Sequence, residues 1–70
     1  MPLMIAPLDV ELTIVKLLVD DKTKKHLESL GITISSKIRV NSKNGGNLIC
    51  IVKEGRLALD SSITSKIFVA

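Results

Sequence analysis

From Val10 the chain alternates. Val10, Leu12 and Ile14 share one face while Glu11 and Thr13 share the other, the period of a half-buried strand. Parity breaks at Ile14-Val15, after which Val15 and Leu17 take over with Lys16 between them. That break predicts a bulge or a sharp bend, the usual device for curling a small sheet. Asp20 and Asp21 then open a short helix, because either carboxylate can accept from the free N–H groups of a first turn. Thr23, Leu27 and Leu30 fall on one face of it. Gly31 suits the left-handed position that ends a helix, and Ile32 is placed to pack back on Leu27. A stripe so narrow is not stable alone, so the helix must dock on the sheet.

The second half repeats the strand pattern. Lys37 to Asn41 alternates with Ile38 and Val40 inward, and Asn44-Gly45-Gly46 supplies the positive φ angles of a tight reversal. Leu48 to Lys53 is nearly continuous in apolar residues, so parity must assign its faces. Leu48, Cys50 and Val52 share one; Ile49 and Ile51 share theirs with Lys53, which marks it as the outer face. Glu54-Gly55 turns the chain, and Arg56 to Leu59 returns with Leu57 and Leu59 inward. Asp60, Ser61 and Ser62 can cap one helical turn around Ile63, before a last strand with Ile67 and Val69 inward and Phe68 outward. The expected core is Leu27, Leu30, Ile38, Val40, Leu48, Cys50, Val52, Leu57, Leu59 and Ile67. About five short strands, one inserted helix and tight turns predict a mainly β chain closed into a small barrel, since closure removes exposed edges.

Composition narrows the function. The chain has 70 residues, one domain over 1–70, and such a length buries only about 60% of the unfolded chain's surface. A cofactor-sized pocket is therefore not expected. The apolar content is aliphatic, with one Phe and no Tyr or Trp, which leaves no stacking platform for single-stranded nucleic acid. One Cys excludes a disulfide framework and fits a reducing compartment. Met1 to Leu8 carries no Lys or Arg and is broken by Pro2 and Pro7, unlike a signal peptide, and no apolar run reaches membrane-spanning length. The expectation is a cytoplasmic module.

Leu27 to Leu30-Gly31-Ile32, Lys37-Ile38-Arg39-Val40, Gly45-Gly46, Arg56-Leu57-Ala58-Leu59 and Ile67-Phe68-Val69 together resemble the FeoA family. The resemblance runs from about Leu8 to Val69. It implies an SH3-like β-barrel with an inserted helix and a part in bacterial ferrous iron uptake. The implied partner is FeoB, a membrane protein with a GTPase domain that carries Fe²⁺ inward, met at the inner face of the membrane. The same domain also looks like the C-terminal module of metal-dependent repressors, although no DNA-binding helices precede it here. Four positions depart from the family's habits: Ile34-Ser35 where Pro-Gly is common, Asn47 where Pro often follows Gly-Gly, Thr64 in place of a small Ala, and no Gly before the helix near Asp20-Asp21.

Candidate chemistry is sparse. A transition-metal site needs three or four convergent ligands, and His26 and Cys50 are the only soft or borderline ones. No metal, cofactor or catalytic residue is expected, so the chain reads as a binding protein and not an enzyme. Gly45-Gly46 lacks the spacing of a phosphate loop. The net charge of +3 and pI of 9.3 leave an RNA- or ribosome-associated barrel as the alternative. Yet Asp20, Asp21 and Glu28 interrupt the Lys22, Lys24, Lys25 cluster, which reads as a solvated helix face, and nucleic acid is not the expected partner. The feature that points to function is Ile49, Ile51 and Phe68, three apolar side chains sent outward by parity, expected to form a protein-docking patch unless the helix or the N-terminal arm Leu3 to Ala6 covers them.

Overall fold

The computed structural model describes residues 1–53 and 55–70. A 3₁₀ turn at Leu3–Ile5 precedes β1 (Leu12–Leu17), α1 (Asp21–Ser29), β2 (Lys37–Asn44), β3 (Asn47–Val52), β4 (Gly55–Leu59), α2 (Ser61–Thr64) and β5 (Ile67–Val69). The strands pair antiparallel in the order β4-β3-β2-β1-β5. One cluster of buried side chains draws on all five strands, α1 and the N-terminal segment, so the sheet wraps a single core. Of the predicted Glu54-Gly55 turn, Glu54 lies outside the described residues; Gly55 opens β4 at φ 126°.

β1 bulges where parity breaks. Its first half pairs with β2 through Leu12 and Thr13, and its second half pairs with β5, with the register shifting between Ile14 and Lys16. Val15 does not take over the inner face as the alternation predicts; it is 48% exposed, and Leu17 is half-buried against the core. Two consecutive outward residues, Val15 and Lys16, are what a bulge produces. Val10 also misses the core, at 43% exposed, because the strand begins only at Leu12. A second bulge, between Val40 and Ser42, lengthens β2 beyond the predicted Asn41 to Asn44.

α1 follows its capping signals. Asp20 is the N-cap, its Oδ1 accepting from the Thr23 N–H at 2.8 Å. At the other end the Ile32 N–H donates to the Leu27 carbonyl at 2.9 Å and the Gly31 N–H to the Glu28 carbonyl at 3.1 Å, with Gly31 at φ 94°. This is the paired C-terminal closure of a helix that ends in a left-handed residue. Leu27 and Ile32 are both buried beneath it. Leu30 and Leu57, expected in the core, are half-buried instead. Leu30 sits at the C-cap, and β4, which carries Leu57, is an edge strand with a neighbour on one side only.

The N-terminal segment is part of the core. Leu3 and Ala6 are fully buried, and the Met1 and Val69 backbones exchange hydrogen bonds of 2.8 Å each way. Gly46 is needed for space and not for a positive φ. Only Gly45 takes the left-handed angle, at 64°, whereas a Cβ on Gly46 would stand 2.5 Å from the Ser61 Cβ. The Gly46 carbonyl also accepts from the buried Thr64 hydroxyl at 2.6 Å. Thr64 therefore ties α2 to the β2–β3 turn.

Three outcomes follow from this packing. Ile38→Ala, at a fully buried site, should cost about 2–5 kcal/mol in denaturant melts, and Leu57→Ala about 1–2 kcal/mol because part of its surface is wet already. Ser35 holds φ 76°, strained for a residue with a Cβ. Ser35→Gly should therefore stabilise by about 0.5–1 kcal/mol, the relieved strain exceeding the added freedom of the unfolded chain. The Asp20 carboxyl is held below its ordinary pKa by its hydrogen bonds to Thr23, and that of Asp60 by its bonds to Ser62. Both contribute stability above the unfolded carboxyl value of about 3.9 and lose it as pH falls through the lower folded value. Melts from pH 7 to pH 2 should show that loss, and Asp20→Asn should flatten it.

Candidate protein-docking face

β3 has one face in the core and one outside. Leu48, Cys50 and Val52 are buried, while Ile49 and Ile51 alternate with them and are half-buried. Register explains the partial cover. Ile51 stands opposite Arg39 on β2 and Arg56 on β4, and Ile49 opposite Ser42 and Ala58, so each isoleucine is flanked from both sides on the outer face. Arginine stems lie along apolar neighbours while their guanidinium groups stay in water.

Two shallow grooves lie on this face. One, of about 450 Å³, is lined by Ile51 with Lys37, Arg39, Lys53 and Glu11. The other, of about 530 Å³, lies toward the β2–β3 turn, with Ile49 and Ala58 beside Lys43 and Asp60. The Lys37 ammonium donates to the Thr13 hydroxyl at 2.7 Å, toward β1. Cations therefore gather around Ile51, whereas Ile49 sits among small and mixed neighbours.

Phe68 is not part of this face. It lies on β5, separated from β3 by β2 and β1, and stands between Lys16 and Pro2. The N-terminal segment reaches it and leaves it half-buried. The structure thus brings Ile49 and Ile51 together and sets Phe68 apart.

The residues weighed for chemistry are dispersed. Cys50 is fully buried, and desolvation pushes its thiol up to about 11, the reverse of what a reactive thiolate needs. His26 is exposed on α1, where its backbone carbonyl accepts from the Ser29 hydroxyl. Among the described residues no three of His, Cys, Asp and Glu come together as metal ligands. None of their helices is long and apolar enough to cross a membrane.

Lys53, Lys66 and Arg56 are the rim that the sequence offers for the patch, and Arg39 is the neighbour of Ile51 that it misses. Only two residues separate Val52 from Gly55, and a reversal that short sets Ile51 against Arg56. The Arg39 pairing was less legible, because the bulge in β2 shifts the register counted back from Gly45-Gly46.

Known proteins place this architecture. No curated protein matches the chain in sequence. The fold recurs in a crystal structure of an iron uptake regulatory protein (FeoA), with a TM-score of 0.84, 23% identity, and coverage of 99% of this chain and 92% of that one. It recurs in the solution structure of iron(II) transport protein A from Clostridium thermocellum, at TM-score 0.89 and 20% identity, over 99% of this chain and 44% of the other. A FeoA protein from Chlorobium tepidum gives 0.87 and 15% identity, over 99% and 68%. These likenesses identify the five-stranded sheet with its inserted helix as an SH3-like barrel. The model of the FeoA domain matches residues 1–70, and the chain belongs to the FeoA family.

Proposed function

We propose that this protein serves ferrous iron uptake by binding the cytosolic part of a FeoB-type GTPase-transporter, and that Ile49 and Ile51 on the outer face of β3 are the apolar centre of the contact. FeoA membership ties the chain to ferrous iron transport. The observation that carries the finer reading is the pair of β-branched side chains two residues apart on one outer strand face, each flanked by shorter or charged neighbours. Binding energy concentrates in such large apolar anchors ringed by polar groups. Arg39, Lys53 and Arg56 supply that rim around Ile51. Phe68 offers a second, separate apolar contact on β5. The protein acts by association and not by chemistry, in the cytoplasm, reaching the inner face of the membrane only through its partner.

Ile51→Asp tests this. The new carboxylate lies between Arg39 and Arg56 on the outer face, so thermal melts should stay close to wild type. Binding to detergent-solubilised FeoB-type transporter, measured on the full chain, should weaken by at least about tenfold, the share carried by one buried anchor. Unfolding of both Ile51→Asp and Ile51→Ser would place Ile51 in the core. A folded variant that binds the transporter and supports iron uptake as wild type does would remove this face from the function.

A further inference from the structure

We infer that the partner segment that docks on this face is acidic and extended, and that it presents one large apolar side chain to Ile51 between Arg39 and Arg56. This rests on the reading that outer β3 is a protein-binding surface, and it specifies what that surface recognises. The argument begins with the row across the sheet. Arg39, Ile51 and Arg56 are directly opposed on β2, β3 and β4, so two guanidinium groups flank one aliphatic side chain. Lys37 precedes Arg39 by two residues on β2, and Lys53 follows Ile51 by two, which continues the positive charge along the same face. Among the described residues, the groove around Ile51 is lined by three of these cations, Lys37, Arg39 and Lys53, and by one carboxylate, Glu11. Arg39, Arg56, Lys37 and Lys53 are four of the chain's 10 Lys and Arg residues, although the net charge is only +3.

Chemistry then selects the occupant. Planar guanidinium groups accept carboxylates in a fork geometry that ammonium groups do not match, which favours a segment with Asp or Glu on either side of its anchor. Side chains on one face of an extended strand repeat about every 7 Å, the spacing at which Ile51 is followed by Ile49 along β3. An extended segment laid along β3 can therefore seat apolar residues over both while its carboxylates reach the arginines. Nucleic acid fits poorly. Single strands are held by stacking on aromatic rings, and the chain's one aromatic side chain lies on β5, away from the row. A half-buried isoleucine at the centre of the cations has no use for a phosphate backbone.

The test is a titration of the ¹⁵N-labelled full chain followed by amide chemical shifts. The probes are the acetylated peptide Glu-Glu-Leu-Glu-Glu and its counterpart with Lys at every Glu. The acidic peptide should move the amides of Arg39, Ile51, Lys53 and Arg56, and the basic one should not. Its affinity should fall by about tenfold in the double variant Arg39→Glu/Arg56→Glu and weaken as salt is raised. Ile51→Ser should weaken it further at high salt, where the apolar contact dominates. Dispersed spectra of each variant establish that it is folded. Shifts that map elsewhere, or tighter binding of the same row to oligouridylate or to vesicles of anionic lipid, overturn the inference. So does solubilised transporter that binds wild type and Arg39→Glu/Arg56→Glu equally, although transporter binding itself then stands. If transporter binds neither while the acidic peptide still maps to the row, the transporter reading fails and the acidic-segment inference survives.

Discussion

The bulge in β1 is the constraint on which the rest of the molecule depends. Ile14 and Leu17 are separated by an odd number of positions, yet both pack inward, and a regular strand cannot do that. One extra residue restores the inner face after Ile14 and lets the same strand serve two partners, β2 before the break and β5 after it. Without it, Ile67 and Val69 would pair out of phase with the core. β5 would then lose its place beside β1 at the end of the sheet. The core and the cover that the N-terminal segment supplies over β5 both presuppose that pairing.

The second bulge, in β2, has a different effect. It brings Ser42 opposite Ile49 while Arg39 stands opposite Ile51. The two isoleucines consequently meet different company: small residues on one side of the turn and guanidinium groups on the other. Inner and outer faces of one strand thus divide the work. Leu48, Cys50 and Val52 hold the fold, and the residues between them are free to differ without loss of core.

Much of this was legible in the chain. Strand parity separated Leu48, Cys50 and Val52 from Ile49 and Ile51, and the Asp20 and Gly31 signals bounded α1, because period and capping are local properties. What escaped was non-local. Leu3 and Ala6 are apolar residues among prolines, with no period to mark them, and the distant β5 and α2 give their segment a place to pack. Gly46 reads as a turn residue, but its constraint comes from Ser61 across the fold. Phe68 was sent outward by parity, yet no local pattern reveals that two strands separate it from Ile49 and Ile51. The candidate face was therefore half legible: its apolar centre came from alternation and its charged rim from register.

The pairing of Met1 with Val69, 68 positions apart, bears on the order in which the protein folds. Leu3 lies in a segment that packs on β5 and α2, both far along the chain. Contacts of such long sequence separation carry the largest loop-closure cost and are made late. The segment around Leu3 therefore stays in water until the distant strand it packs on has formed. The two prolines flanking that segment, Pro2 and Pro7, disfavour helix and strand there and limit what it can pair with while it waits.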